Sequence, residues 1–280
     1  MNKINSYKEN LVIPKDLKKY LPTSYDIIGN IALIKLTSEL LDYKNNIADA
    51  FLDSYKHIRT VCLIKPVSGE LRTRDIEVIG GEKNLTTTHK EYGAVFKLDV
   101  SKVYFSPRLA NERKRIADKV KKNEVIIDMF TGVAPFPIII SKYSEPNIVY
   151  AVDKNKDAIE YAGYNITRNK VLDKVELIHG DSKNVSKIFN ERDVLADRVI
   201  MNLPFSALDF FKYVFGIISE GAIIHYYNVT REENINAHIK KLEIIAEKNG
   251  FYLEKSKINE IKSYSPSEFY IGIDITAKKK

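Results

Sequence analysis

The chain has 280 residues, 44% of them hydrophobic, and a formal net charge of +7. This composition supplies a core, argues against disorder and suits one large domain or, more comfortably, two. No apolar run approaches the roughly 20 residues that a bilayer crossing needs, and Met1-Asn2-Lys3-Ile4-Asn5 lacks a signal-peptide core, so a cytoplasmic protein is expected.

The single Cys62 makes neither an internal disulfide nor a cysteine metal cluster, and no metal is expected. The positive charge favours acidic partners. It is also concentrated: Arg108, Arg113, Lys114, Arg115, Lys119, Lys121 and Lys122 crowd one stretch that reads as a helix, interrupted only by Glu112 and Asp118. Such a run favours nucleic acid over plain solubility charge.

In chain order, residues 24–36 hold two apolar runs around Gly29-Asn30 and predict a β-hairpin. Residues 44–55 place Ile47, Ala48, Phe51 and Leu52 at helical spacing. Three strand-like segments follow at 60–65, 71–79 and 94–100, with Gly80-Gly81 read as a turn. Residues 1–103 are therefore expected to form a small α+β domain that handles RNA.

From Asn123 strands alternate with helices. The runs 125–130, 148–153, 175–179, 198–202 and 222–227 are short, apolar and mostly β-branched. A helix at 232–249 ends at Gly250, and two late strands, about 251–262 and 268–275, are expected to pair antiparallel. Residues 104–280 thus predict an α/β domain built on a doubly wound parallel sheet.

Ligands of such sheets bind beyond the carboxyl ends of the strands. The first strand runs into Asp128-Met129-Phe130-Thr131-Gly132, where Gly132 lets backbone approach a ligand and the following helix offers free N–H groups to a carboxylate. Asp153 ends the second strand about 20 residues later, a spacing that suits ribose hydroxyls. Asp181, in His179-Gly180-Asp181-Ser182, ends the third, where it suits an adenine amino group. A dinucleotide needs several glycines around its pyrophosphate, but Pro135, Phe136 and Pro137 occupy that space. A nucleoside with an amino-acid tail fits better, which means S-adenosylmethionine.

The segments Arg72-Thr73-Arg74, Thr88-His89-Lys90-Glu91, Tyr104-Phe105-Ser106-Pro107-Arg108, Asn111-Glu112-Arg113, Asp128-Met129-Phe130-Thr131-Gly132, Asn202-Leu203-Pro204 and Tyr264-Ser265-Pro266 together resemble the archaeal and eukaryotic tRNA (guanine-37-N1)-methyltransferases. The resemblance runs from about Ser24 to the C-terminus. It implies a Rossmann-like class I methyltransferase fold and methyl transfer to N1 of the guanine 3′ of the anticodon. It implies Glu112 as general base, Arg72 as stabiliser of the purine, and Asn202 and Pro204 as walls of the base pocket. Around the cofactor it implies Tyr104, Arg113, Asp153, Asp181 and Asn202; the neighbouring Asp128, Phe130, Gly132, Lys154 and Ser182 complete the expected cofactor set.

The chemistry asks for such groups. Guanine N1 carries a proton, so methylation needs a base to take it and a cation to steady charge on O6. Arg108 and Arg115 are expected to hold phosphates of the anticodon stem-loop, while Tyr104 and Phe205 either stack on the flipped base or belong to the core. A monomer is expected.

Two departures from the family are expected: Ala134 stands where a second glycine is usual, and the chain reads as starting at the second domain of the longer archaeal members. Two other readings remain. One is the related wybutosine-pathway transfer of an aminocarboxypropyl group to the same tRNA position; the other is tRNA binding without chemistry.

Overall fold

The computed structural model describes residues 7–9, 11–65, 75–265 and 267–280. The chain divides into two compact units, Met1–Arg108 and Leu109–Lys280. None of the helices in the described residues is long and apolar enough to cross a membrane.

The N-terminal unit is α+β. Strands β1 (Asp26–Ile28) and β2 (Ile31–Ile34) form the expected hairpin, with Gly29 left-handed at its tip. Helix α1 (Lys44–Ser54) crosses over to β3 (Thr60–Ile64), which pairs parallel to β2; β4 (Ile76–Gly81) then adds antiparallel to β3. Ile47, Ala48 and Phe51 of α1 pack with Ala32, Ile34 and Val61 of the sheet. Cys62 on β3 is fully buried, which pushes its thiol up to about 12.

Gly80-Gly81 is not the expected turn. Both glycines lie within β4, paired with Val61 and Thr60, and the register shifts between Val61 and Cys62. A Cβ on Gly80 would lie 2.6 Å from the Ala48 Cβ, so close helix–strand approach is what requires the glycine. The unit also holds a hairpin of β5 (Thr86–Glu91) and β6 (Ala94–Asp99), of which only β6 was predicted.

The C-terminal unit begins with α2 (Ala110–Ala117) and then winds β7 (Val125–Asp128), α3 (Pro135–Tyr143), β8 (Ile148–Asp153), α4 (Lys156–Arg168) and β9 (Val175–His179). It returns through α5 (Val185–Asn190), β10 (Ala196–Met201), α6 (Ala207–Val214), β11 (Ile218–Thr230), α7 (Ile235–Lys248), β12 (Phe251–Ser265) and β13 (Glu268–Lys279). The seven-stranded sheet has the order β12-β13-β11-β10-β7-β8-β9. Strands β11 to β9 are parallel, and the late pair is antiparallel as expected.

This is the Rossmann-like doubly wound sheet expected from the sequence. Buried aliphatic and aromatic residues of β7, β10, β11 and β13 pack with α6 and α7 on one face. The switch in winding direction falls between β7 and β10, and it opens a crevice at their carboxyl ends.

Candidate active site

The first strand ends at Asp128, and the turn that follows is pinned between neighbouring strands. Met129 N–H donates to the Ile200 carbonyl at 3.0 Å and Thr131 N–H to the Val152 carbonyl at 2.9 Å. Gly132 (φ 56°) and Ala134 (φ 64°, ψ 38°) are both left-handed, and they turn the chain sharply into α3. Asn165 on α4 donates to the Val133 carbonyl at 3.2 Å.

Asp153 is folded into the same turn. Its carboxylate accepts from Gly132 N–H at 2.7 Å and from Asn155 N–H at 2.9 Å. Burial holds its pKa above the usual carboxylate value against those hydrogen bonds. Asp181 caps the short turn that follows β9, accepting from Lys183 N–H at 2.9 Å, while the buried Ser182 hydroxyl donates to the Met129 carbonyl. Phe130 packs edge-on against Phe210, with ring centroids 5.0 Å apart. Lys154 lends its carbonyl to His179 Nε2 at 3.2 Å.

Asp128 is only 1% exposed, and burial pushes its carboxyl up to about 7. Its Oδ2 and the buried Thr131 hydroxyl make no well-formed hydrogen bond among the described residues, although Thr131 is near enough to offset part of the effect of burial on the carboxyl. Orphaned buried polar atoms are costly and ask for a ligand. The ammonium of an amino-acid tail would satisfy the Asp128 carboxylate and restore its charge, so these residues fit S-adenosylmethionine.

A second cluster lies on α2, β11 and β13. Glu112 is buried and accepts three hydrogen bonds, each 2.7 Å long: Arg115 Nε to Oε2, Arg115 Nη2 to Oε1, and Tyr227 Oη to Oε1. Arg115 also donates to both oxygens of Asp274, at 2.7 and 3.1 Å. Asp274 further accepts from Lys119 at 2.6 Å and from His225 Nδ1 at 2.7 Å.

Arg198, itself fully buried, donates to His225 Nε2 at 2.7 Å and reaches Glu124 through Nε (2.8 Å) and Nη2 (2.9 Å). Since a guanidinium only donates, His225 Nε2 must accept, and Nδ1 carries the proton given to Asp274. Burial lowers the His225 pKa and keeps the ring neutral. Asp274 is held well below the usual carboxylate range by His225, Arg115 and Lys119, which outweigh its own burial.

Two tyrosines join the clusters. The Tyr227 ring lies 6.0 Å from Phe136 at the start of α3 and 6.0 Å from Tyr270 on β13. Tyr270 donates its hydroxyl to Asn202 Oδ1 at the end of β10. The expected site residues Glu112, Asn202 and the cofactor turn are thus linked through Tyr227, Tyr270 and Phe136, none of which the sequence marked as catalytic. Arg113, beside Glu112, is fully buried. Pro204 accepts from Val229 N–H at 3.2 Å. Phe205 is 57% exposed and meets Tyr264 edge-on at 5.3 Å, so it does not belong to the core.

The basic stretch differs from expectation. Its helix spans only Ala110–Ala117, and its cations do not form one open face. Arg115 and Lys119 pair with Asp274, Lys114 with Asp118, and Lys122 with Glu145. Arg108, at the end of the N-terminal unit, pairs with Asp26 at 2.6 Å and donates to Ser24. Acids far away in sequence supply most of these partners. Tyr104 also falls in the N-terminal unit, and Arg72 lies outside the described residues.

Residues 87–254 match the TRM5/TYW2 methyltransferase domain, and residues 7–84 match the TYW2 N-terminal domain. The tRNA (guanine(37)-N(1))-methyltransferase Trm5b of Pyrococcus abyssi is 40% identical over 272 residues, 96% of this chain and 79% of the relative. The chain belongs to the TRM5/TYW2 family.

The tRNA(Phe) (4-demethylwyosine(37)-C(7)) aminocarboxypropyltransferase of Methanocaldococcus jannaschii is also similar, at 34% identity over 89% of this chain and 96% of the relative. Among solved structures, Trm5b from Pyrococcus abyssi superposes with a TM-score of 0.88 at 38% identity, covering 99% of this chain and 82% of that one. The complex of aTrm5 and tRNALeu superposes with a TM-score of 0.83 at 33% identity, covering 99% of this chain and 79% of that one. Like its TRM5/TYW2 relatives, the chain is an S-adenosylmethionine-dependent, tRNA-modifying enzyme.

Proposed function

We propose that the chain transfers the methyl group of S-adenosylmethionine to N1 of guanosine 37, beside the tRNA anticodon. The observation that carries this reading is the buried Glu112, tied through Tyr227 to the α3 start and through Tyr270 to Asn202. A carboxylate offers about four acceptor positions. Among the described residues three are filled at Glu112, two on Oε1 and one on Oε2, which leaves one on Oε2 for the proton of N1.

The cofactor supplies a methyl group already activated on a sulfonium. As the N1–methyl bond forms and the sulfur–methyl bond breaks, Glu112 Oε2 takes the N1 proton, so the base leaves neutral. Asp128, Asp153 and Asp181 hold the ammonium, ribose and adenine ends of the cofactor. Because Tyr270 occupies Asn202 Oδ1, the Asn202 amide turns its N–H groups to acceptors on the base. The exposed Phe205 gives the unstacked guanine a face.

Incubating anticodon-loop variants with methyl-labelled and, separately, carboxyl-labelled cofactor tests the assignment. Methyl label should enter RNA only when guanine stands at position 37. Carboxyl label entering RNA would assign the aminocarboxypropyl reaction in its place.

A further inference from the structure

A guanidinium clasps both oxygens of Glu112, so the use of Glu112 as a base depends on an acceptor position being left open beside that contact. The surroundings of Arg115 bear on this. Its Nη1 donates to Asp274 and its Nη2 is divided between Asp274 and Glu112, so one guanidinium faces two carboxylates. Asp274 in turn has all of its acceptor positions filled: Arg115 and Lys119 on Oδ2, Arg115 and His225 on Oδ1. It is thereby fixed in place and held ionised.

We propose that Tyr227, Arg115 and Asp274 are positioning residues for Glu112: Tyr227 and Arg115 fix its rotamer and leave one acceptor position on Oε2, and Asp274 draws off enough of the Arg115 charge to keep that position reactive. This rests on the reading of Glu112 as general base. Among the described residues, the charged or titratable groups of this network include Arg115 on α2, Arg198 on β10, Tyr227 and His225 on β11, Asp274 and Tyr270 on β13, and Lys119 just beyond α2. None of the three positioning residues is assigned a contact with substrate. Each acts through the carboxylate.

The two arms pull in opposite directions, which makes the set testable. Tyr227→Phe removes a donor that favours ionised Glu112 but keeps the ring against Phe136 and Tyr270. Asp274→Asn removes the charge that competes for Arg115, so Arg115 clasps Glu112 more strongly. The experiment follows single-turnover methyl transfer against pH, with the intact chain, saturating cofactor and tRNA bearing guanine 37.

Tyr227→Phe is expected to slow transfer about tenfold and to move the acid limb of the profile up by about one pH unit. Asp274→Asn is expected to move that limb down. Cofactor and tRNA affinities should stay within about twofold of the parent's, because the set acts on the base alone. A purely structural role for these residues would cut the active fraction and leave the limb in place.

Limbs unmoved in both variants, with Glu112→Gln inactive, would overturn the positioning role and leave the base assignment standing. Glu112→Gln at the parent rate would remove the base assignment and the positioning role together. If Asp274→Asn does not fold, the direction of the Tyr227→Phe shift decides alone.

Discussion

Ala134 carries a methyl group where the backbone is left-handed, φ 64° and ψ 38° at the start of α3. For an L-residue other than glycine that conformation costs about 1–2 kcal/mol. Ala134→Gly relieves it but gives the unfolded chain more freedom, an offset of about 0.4–1 kcal/mol. A net gain of roughly 0.5–1 kcal/mol is expected in urea unfolding monitored on the C-terminal unit. A loss would mean that the Ala134 methyl, fully buried, makes contacts worth more than the strain.

Asp128 makes the opposite kind of sacrifice. Its folded pKa, about 7, lies above the ordinary value of 3.8. A raised pKa means that this group's full contribution is present below about pH 4 and is lost as pH rises through about 7. Asp128→Asn keeps the acceptor for Phe130 N–H and gives the Thr131 hydroxyl a donor. The variant without cofactor should therefore melt higher than the parent at pH 8, with the gap closing toward pH 4. Cofactor should shift its melting temperature less than the parent's, because the ammonium partner is gone.

At the scale of elements, the strands β7 to β11 were legible because each holds a short, mostly β-branched apolar run between helices, although β11 extends well beyond its run at 222–227. Strand β5 was not. Thr86-Thr87-Thr88-His89-Lys90-Glu91 reads as polar chain, and pairing with β6 makes it a strand. Gly80-Gly81 misled for a related reason: a glycine pair signals a turn locally, but its cause is helix α1 lying close overhead.

The candidate site divides in the same way. Asp128, Asp153 and Asp181 were visible because strand ends recur at fixed places in the chain. The partners of Glu112 were not, since Tyr227 lies 115 residues away and Asp274 is 159 from Arg115, and no local pattern reports such pairs. Strand pairing brings them together, and it sets a limit at Gly272. This glycine faces Tyr227 across β11 and β13, and a Cβ there would sit 3.1 Å from the Tyr227 ring and 3.3 Å from Ile261. Gly272→Ala is expected to cost about 1–3 kcal/mol by overpacking. It should also slow methyl transfer more than it weakens cofactor binding, a difference that single-turnover kinetics and calorimetry would separate.

For the molecule as a whole, the net charge of +7 predicts tRNA affinity that falls with salt. Arg115 should not contribute to that slope, because its charge is spent inside on Glu112 and Asp274. Arg115→Ala is expected to lose activity and stability while its tRNA binding keeps the parent's salt slope. A shallower slope would return it to the phosphate-binding surface.

The buried network also sets an acid limit on folding. His225 has a folded pKa below the ordinary 6.5, so its contribution is complete above that value and is lost as pH falls through the folded pKa. The advantage of the parent over His225→Gln in urea midpoint should shrink from pH 7.5 to 5.5, a comparison in which the opposite trend from Asp128 cancels.

The lone thiol turns the two-unit construction into a clock. Cys62 sits on β3, sealed from solvent and with its thiol pushed up to about 12. A thiol reagent therefore meets a reactive sulfur only during the intervals when the N-terminal unit opens. The rate of labelling counts those openings in that unit alone. Repeated with the RNA substrate bound, the same count reports, without any engineered probe, whether that unit closes down on its cargo.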